Sequence, residues 1–393
     1  MAALPEGPAR DGRELELQLA RGPSLFATKG LSAVEAAEAY KRACELAEQQ
    51  GDPSQQFMAV CGLWQSVSGS GKVHGARRLS DRLLQLTADK ADDELRLQAH
   101  HSAWTTRLFA GDPAAARGHC EAGRRLYDPD RDRSHRLLYG GHDPGVCASS
   151  LGAVINWLLG YPDKGLALGS EAVAMAERIA HPFSLETALL FNVMFHLECG
   201  QPDLALQRLE AAETLVAEQR LAFLYDPQFF RGAALSAQGA FEEAAACLRE
   251  GLTGSLGPRF FRPYGLARLA EALARQGKHR AALAAARDAL KLHKKTRYGY
   301  WDAELHRLEG IALLGLNRLD QGQNALEEAL RIARGQQAKA YELRAATGIA
   351  RLWGEQGRRA EAHDLLAPIY GWYTEGLDTA DLKEAKSLID ELA

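Results

Sequence analysis

The sequence predicts an all-α protein built as a solenoid of stacked helix pairs. Helix-forming Ala, Leu, Glu, Gln and Arg dominate its 393 residues, and strand-like alternation is nearly absent. Helix–turn–helix units recur at about 40 residues, the scale on which repeat arrays are built. The last residues form an amphipathic helix whose polar face suits the end of such an array. We therefore predict a right-handed superhelix of about nine helix pairs plus a C-terminal capping helix.

Each predicted unit has a helical run, a turn residue and a second helical run. A helix C-terminus commonly ends on a residue with positive φ, which glycine adopts without steric cost. A proline soon afterwards, as at Pro113, Pro162 and Pro202, suits the first turn of the next helix. The predicted turn residues, one for each unit, are Gly30, Gly71, Gly111, Gly160, Gly200, Gly239, Gly277, Asn317 and Gly357.

The stretch SGSGKVHG, which contains Gly71 and Lys72, resembles a phosphate-binding loop. A working loop needs an earlier glycine and a Ser or Thr after the lysine, but these positions hold Ser66 and Val73. No strand pattern precedes the stretch. Because the later segment RQGKHR places Gly-Lys at the same point of its repeat, we predict a turn between paired helices and no nucleotide site.

Apolar residues follow helical spacing within the units. In YGLARLAEALARQG they fall at i, i+3, i+4 and i+7, at Leu266, Leu269, Ala270 and Leu273. In HRAALAAARDALKL small residues take the corresponding face, at Ala282, Ala285, Ala286 and Ala289. A first helix with large apolar residues beside a second helix with small ones is typical of tetratricopeptide-like repeats.

The turn spacing is irregular at one place, between Gly111 and Gly160. The excess is YDPDRDRSHRLLYGGHDPG, which we interpret as an ordered loop because HRLLY is apolar enough to dock. We therefore predict an N-terminal subarray of about three helix pairs over 1–127, a connecting loop over 128–143, and a C-terminal subarray of about six pairs over 144–393.

The capping helix is predicted over 379–393, with Asp378 or Thr379 as its N-cap. Charged side chains cover one face. The apolar face is formed by Leu382, Ala385, Leu388, Ile389 and Leu392. Such a helix closes the core of the last unit while its charged face meets water.

Composition excludes several classes of function. The net charge of -4 and pI near 6.3 leave no surplus of Lys and Arg for nucleic acid. No apolar run reaches the ~20 residues of a membrane span, and the acidic N-terminus does not resemble a signal peptide. The 6 cysteines are scattered without a C-x-x-C pair. We therefore expect reduced thiols in a cytoplasmic protein.

No motif for catalysis or metal binding stands out. His100 and His101 are adjacent, so on a helix they point about 100° apart and cannot face one metal. H-E-x-x-H and G-x-S-x-G patterns are missing. The acidic pairs on the second helices are typical of solvated surfaces, and the aromatic stretches 298–301 and 370–373 of interhelix packing. We therefore expect no enzyme, metal or cofactor.

The surface expected to bind is the concave one, which the first helix of each pair lines. Its central units are predicted to contribute an apolar cluster with a polar rim, as in a peptide or small-ligand groove. The alternative is a register error of one or two places, which would make these residues core. The predicted lining is Gln65, Gln98, His101, Val154, Trp157, Leu190, Met194, Phe229, Tyr264, Glu271, Arg344 and Arg351.

Three segments carry a family resemblance. The C-terminal stretch from QQAKAYELRAATGIARLWGEQGRRAEAHDLLAPIYGWY to the end resembles the end of bacterial predicted ATPases of the STAND type fused to adenylate or guanylate cyclase domains. LYDPDRDRSHRLLYGGHDPGV and HPFSLETALLFNVMFHLECGQ resemble their earlier repeats, and the likeness extends over about 15–393. It implies a regulatory, partner- or effector-binding array. Neither the cyclase nor the NTPase domain is present in this sequence, so their activities do not transfer.

The function expected from these observations is a non-enzymatic interaction module of a bacterial signalling protein. It would bind a protein or peptide partner in the concave groove, and that partner would include an NTPase or cyclase module. The alternative is an effector sensor that binds a small molecule in the same groove and regulates such a partner. Nucleic acid and membrane are not expected as partners.

Overall fold

The computed structural model describes residues 7–50, 52–89, 92–139, 141–221, 226–254 and 261–393. Every regular element in these ranges is helical, as the sequence predicts. The first helices are α1 (Pro8–Lys29), α2 (Val34–Gln50), α3 (Pro53–Gly69), α4 (Val73–Thr87), α5 (Asp93–Phe109), α6 (Pro113–Leu126), the short α7 (His135–Leu138), α8 (Pro144–Leu158), α9 (Pro162–Ile179) and α10 (Pro182–Glu198). The remaining helices are α11 (Pro202–Gln219), α12 (Pro227–Ala237), α13 (Phe241–Thr253), α14 (Arg262–Arg275), α15 (His279–Thr296), α16 (Asp302–Gly315), α17 (Leu319–Gly335), α18 (Lys339–Glu355), α19 (Arg359–Tyr370) and α20 (Ala380–Leu392).

Consecutive helices pack as pairs, which confirms the predicted solenoid. Within the described ranges there are nine pairs: α1–α2, α3–α4, α5–α6, α8–α9, α10–α11, α12–α13, α14–α15, α16–α17 and α18–α19. The first helix of a pair also contacts the first helix of the next pair, and α20 packs against α18 and α19. The first helices therefore form a continuous inner layer, and the second helices lie outside it.

The predicted turn residues all have a positive φ angle. Their φ angles run from 58° at Asn317 to 88° at Gly160. At Gly71 the φ angle is 73°, and Lys72 lies directly before α4, so SGSGKVHG is a turn between paired helices. Each predicted turn between paired helices therefore has a backbone conformation that glycine, and more rarely asparagine, adopts at low cost.

The helix faces follow the predicted periodicity. Leu269, Ala270 and Leu273 of α14 are buried, and so are the four predicted alanines of α15. In α20 the predicted apolar face is buried at Leu382, Ala385, Leu388 and Leu392. The small residues of the second helices let the pairs approach closely, while the larger residues of the first helices fill the inner layer.

The stretch between the third and fourth pairs contains a 3₁₀ turn, Arg131–Ser134, followed by α7. Helices α6 and α8, on either side of it, pack directly against each other. Three pairs lie before this stretch and six after it. The division into two subarrays stays a prediction, since the stack continues through the α6–α8 contact.

The superhelix touches itself across distant units. The carboxylate of Glu375 accepts hydrogen bonds from the backbone N–H groups of Asp163 (3.0 Å) and Lys164 (3.2 Å), at the start of α9. Nearby, Trp372 packs edge-on against Tyr161, with 5.6 Å between the ring centroids. We call this set the coil-to-coil contact, between residues 160–164 and 371–379. It closes the array more tightly than nearest-neighbour stacking alone.

The predicted packing role of the 298–301 aromatics is confirmed. Tyr298, Tyr300 and Trp301 are buried, and Trp301 contacts Phe261 and Tyr264 edge-on or tilted. All 6 cysteines are free, and four of them are buried. In the part of the chain that the structure describes, no helix combines the length and apolarity needed to cross a bilayer.

Candidate functional site

A cavity with a volume of about 630 Å³ lies on the inner layer of the C-terminal half. Side chains of the first helices line it: α10, α12, α14, α16 and α18, with the start of α20. We call it the concave cavity. Its lining alternates small apolar residues, such as Ala233 and Gly348, with charged side chains of both signs.

A buried ion-pair network forms the floor of the concave cavity. Glu198, at the end of α10, accepts from Arg268 (2.9 Å) and from Arg344 (2.9 Å). Arg344 also pairs with Asp381 of α20 at 2.8 Å. Glu198 and Arg344 are 146 residues apart, so the network ties the middle of the chain to its C-terminal units. A buried carboxylate with two guanidinium partners keeps its charge satisfied.

Glu304 and Arg307 of α16 extend this network. The guanidinium of Arg307 makes two parallel hydrogen bonds to the Glu304 carboxylate, at 2.7 and 2.8 Å. Burial by itself would raise the pKa of Glu304, but Arg307, Arg344 and Arg268 together lower that pKa to about 2. For Asp381 burial outweighs Arg344, and its pKa is raised.

The rim of the concave cavity carries charged groups that meet solvent. The side chains of Arg351 and Glu384 are 55% and 54% exposed and pair at 2.6 Å. Glu271, 34% exposed, pairs with Arg268 at 2.9 Å. The Arg351–Glu384 pair is exposed and therefore weak, and the Glu271 carboxylate is partly exposed although its partner Arg268 is buried, so these are the groups that a charged ligand could engage.

A second, smaller cavity of about 70 Å³ lies among the first helices of the second to fifth pairs, α3, α5, α8 and α10. We call it the N-terminal cavity. Its walls include Trp64, Thr105, Phe109 and Phe191, and three residues with metal-binding atoms, His101, His142 and Cys147, also line it. The Nε2 atoms of His101 and His142 lie 3.2 Å apart. Burial lowers the pKa of His101 and raises that of Cys147 to about 12, so both are neutral.

The two cavities divide the residues predicted for a concave lining. Glu271, Arg344 and Arg351 line the concave cavity. Gln65 and His101 line the N-terminal cavity, and Gln98 hydrogen-bonds His101 at 3.0 Å. These two groups lie on the inner layer, as the sequence predicts, but not in one groove.

The predicted apolar centre is not exposed, which corrects the expectation of an open apolar groove. Trp157 packs edge-on against Tyr341 of α18 at 5.7 Å, and the Arg344 guanidinium lies 5.1 Å from its ring centre. The inner layer of the fourth unit is therefore covered by the ninth. The predicted lining residues that are buried in the core are Val154, Trp157, Leu190, Met194, Phe229 and Tyr264.

Sequence reasoning missed most of the ion-pair network. Glu198 follows an apolar run in α10, and Arg268 and Glu304 lie on helices whose neighbouring residues are apolar. A charged residue inside a predicted apolar face was the available signal. The pairing itself could not be found, because it depends on how far the superhelix turns between distant units.

Comparison with known proteins finds a relative in sequence. An uncharacterized protein of Rhizobium meliloti (strain 1021) is 29% identical over 360 residues. The match covers 87% of this chain and 34% of the relative, so the chain spans about a third of that protein's length. No protein-family profile matches the sequence.

Several solved structures share the fold at low sequence identity. A Rap protein complexed with Competence and Sporulation Factor has a TM-score of 0.62 and 13% identity, covering 97% of this chain and all (100%) of its own. The Rap conjugation gene regulator of plasmid pLS20, in complex with the Phr* peptide, has a TM-score of 0.53 and 12% identity, with 96% and 95% covered. NprR in complex with its cognate peptide NprX has a TM-score of 0.52 and 13% identity, with 85% and 96% covered. Together with the nine helix pairs, these likenesses show that the chain has a tetratricopeptide-like solenoid fold.

Proposed function

We propose that this chain is a non-enzymatic interaction module that binds a peptide or protein segment in its concave cavity. The observation that carries the proposal is the cavity itself: about 630 Å³ on the inner layer, with charged groups of both signs at its rim. A volume in this range holds a ligand the size of a short peptide segment.

The rim chemistry defines the kind of segment. Arg351 offers a partly exposed cation, while Glu271 and Glu384 offer carboxylates. A bound segment with a carboxylate and a basic side chain would exchange these weak surface pairs for its own, in surroundings less screened than open water. The small side chains between them leave room for the backbone of the segment.

Solved structures with a similar fold support the proposed type of partner. The pLS20 Rap regulator and NprR structures each contain a bound peptide, and the Rap structure contains Competence and Sporulation Factor. At 12–13% identity they carry no residue-level argument for this protein. We extend from them only the type of partner, a peptide or protein segment.

The signalling context is a further part of the proposal. The resemblance to STAND-type ATPases with cyclase domains supports an NTPase or cyclase module as partner, in a cytoplasmic bacterial assembly. In that setting, a segment bound in the concave cavity would be presented to, or withheld from, the catalytic module.

A small-molecule effector is the second candidate, since the cavity volume also suits a metabolite. The two candidates make different demands on the cavity. A peptide uses the charged rim and extends beyond it, whereas a metabolite is enclosed by the floor. Both would stabilise the fold by mass action.

The test is selection from a library of random linear peptides on the immobilised full chain, followed by calorimetry with synthetic copies of the selected peptides. We expect the double variant Glu271→Ala/Arg351→Ala to weaken their binding at least about tenfold, a loss near 1.4 kcal/mol. The matched control is Arg331→Ala, which removes a similar exposed ion pair from the outer helix α17.

Two outcomes would count against the proposal. Equal binding by the double variant and the wild type would place the peptide site elsewhere. Failure to select any peptide, combined with a higher melting temperature in lysate filtered to remove macromolecules, would favour the effector function.

A further inference from the structure

We propose that His101, His142 and Cys147 form a zinc site at the wall of the N-terminal cavity. The three residues come from two parts of the chain: His101 from the middle of α5, and His142 and Cys147 from the connection before α8 and its first turns. Their spacing in sequence shows no metal motif, but the α5–α8 packing brings them together.

The three donor atoms are close to the arrangement that zinc requires. The two Nε2 atoms are 3.2 Å apart, and one ligand atom from each of the three residues, the Cys147 sulfur among them, lies within 4.8 Å of the other two. Tetrahedral zinc with bonds of ~2.0 Å to nitrogen and ~2.3 Å to sulfur holds its nitrogen ligands about 3.4 Å apart. The histidine pair already has this spacing, and the Cys147 sulfur lies close to it.

A chain of hydrogen bonds fixes which nitrogen of His101 carries the proton. The Glu94 carboxylate can only accept, so His135 donates to it from Nε2, at 3.3 Å. The amide nitrogen of Gln98 lies 3.0 Å from His135 Nδ1 and donates to it, and the carbonyl oxygen of the same amide lies 3.0 Å from His101 Nδ1. His101 is therefore protonated on Nδ1 and presents a lone pair at Nε2.

This arrangement is the one found behind metal-binding histidines, where the second ring nitrogen donates to an oxygen that orients the ligand. The ring of His101 is also held in place. It stacks on Trp104 at 4.9 Å and meets Trp64 edge-on at 5.8 Å. A ligand with a fixed tautomer and a fixed ring loses little freedom when it binds a metal.

The segment that carries His142 is anchored as well. The neighbouring Asp143 accepts from the backbone N–H groups of Gly145 (2.9 Å) and Val146 (3.0 Å), and its own N–H donates to Ser184 at 2.8 Å. Asp143 thus caps α8 and pins the chain to α10. His142 and Cys147 are consequently held on either side of one helix start.

The donor set selects the metal. Two imidazoles and a thiolate suit zinc, and hard cations such as Mg²⁺ and Ca²⁺ prefer oxygen ligands. Three protein ligands would leave a fourth position for water, and the three residues line a cavity of about 70 Å³, which has room for one. On binding, the Cys147 thiol gives its proton to solvent and its sulfur bonds the metal.

The test uses Co²⁺ as a spectroscopic substitute for zinc on the reduced full chain. We expect one Co²⁺ per chain, a near-ultraviolet thiolate-to-cobalt charge-transfer band, and visible bands typical of four-coordinate cobalt. One equivalent of Zn²⁺ should abolish all of these bands. Cys147→Ser should remove the charge-transfer band, and Gln98→Leu, which affects positioning only, should weaken affinity about 10- to 100-fold.

The controls distinguish this site from others in the fold. Cys199→Ser removes a buried thiol elsewhere, and His100→Gln removes a histidine that pairs with His119 at 2.9 Å outside the cavity. Both variants should retain the bands, and circular dichroism checks that each variant is folded. The proposal is overturned if wild-type protein shows no charge-transfer band, or if the band survives in Cys147→Ser. In that case the His101–His142 pair is simply a hydrogen bond.

Discussion

At the scale of single residues, the Arg344 guanidinium lies among three carboxylates of the ion-pair network. It pairs with Glu198 and Asp381 and lies 3.9 Å from Glu304. Replacing it by methionine keeps the bulk of the side chain but leaves buried carboxylates without their shared cation. We expect Arg344→Met to lower the free energy of unfolding by about 3–5 kcal/mol, measured by urea denaturation.

Arg331→Met is the matched control for this prediction. Arg331 also makes an ion pair, with Glu328, but its side chain is mostly exposed on the outer helix α17. An exposed pair contributes roughly 0–1 kcal/mol, so the control should be nearly neutral. Similar losses in both variants would show that the buried network does not hold the inner layer together.

The low pKa of Glu304 predicts a dependence of stability on pH. Its pKa falls from 4.5 in the unfolded chain to about 2 in the fold, so its contribution is fully present above pH 4.5 and is lost as the pH falls toward 2. That contribution is about 3 kcal/mol near pH 7 and about 1 kcal/mol near pH 3. The pKa of Asp381 is raised, so its ionisation lowers the free energy of unfolding as the pH rises, opposite to that of Glu304.

The measurement compares the wild type with Glu304→Gln by urea denaturation at both pH values. The wild type should be the more stable by an amount that shrinks by about 2 kcal/mol on going to the lower pH. A constant difference would mean that Glu304 takes up its proton at the ordinary pKa.

The turn residues give the sharpest prediction at the scale of the helix pair. Gly277 has a φ angle of 73°, and a Cβ there would meet no neighbouring atom. Gly277→Ala therefore tests backbone strain alone, and should cost about 1–2 kcal/mol by thermal or urea unfolding. Gly118 lies inside α6 with equally open surroundings, but with helical φ.

Gly118→Ala is consequently the control with the opposite sign. Alanine removes conformational freedom from the unfolded chain and fits a helix interior, so it should stabilise by about 0.5–1 kcal/mol. Two substitutions of the same kind, both free of clashes, should thus move stability in opposite directions. The same direction for both would refute the role assigned to the turn conformation.

The same elements show how far the sequence could predict the structure. Turns such as Gly71 and Gly277 were predictable because their steric requirement is local, and the buried face of α14 because helical periodicity is local as well. The burial of Trp157 was not predictable, since its cover is Tyr341 of a distant unit. The candidate sites share this limit: Glu198–Arg344 and His101–His142 each join residues from separate units.

At the scale of the whole molecule, the coil-to-coil contact changes how the array opens. The Glu375 carboxylate accepts the N–H groups of Asp163 and Lys164, which begin α9 and have no acceptor within that helix. We expect Glu375→Ala to speed hydrogen exchange at these two amides about tenfold, because a charge-assisted hydrogen bond of roughly 1.5 kcal/mol is lost.

Glu361→Ala is the control for the exchange experiment, since Glu361, in the first turn of α19, pairs with Arg358, three residues before it. It removes a carboxylate from the same end of the chain without reaching α9. Unchanged exchange at 163 and 164 in the Glu375 variant would mean that the two coils separate freely in solution.

The coil-to-coil contact also has a mechanical consequence. A solenoid bonded only between neighbours behaves as a spring that lengthens smoothly under tension. Here Glu375 and Trp372 bind one coil of the superhelix to another. Glu375 and its partner Asp163 are 212 residues apart in sequence. When the wild-type chain is pulled from its two ends, the force should first rise with little extension and then drop abruptly as the coil-to-coil contact breaks. A chain without this contact should extend from the lowest forces.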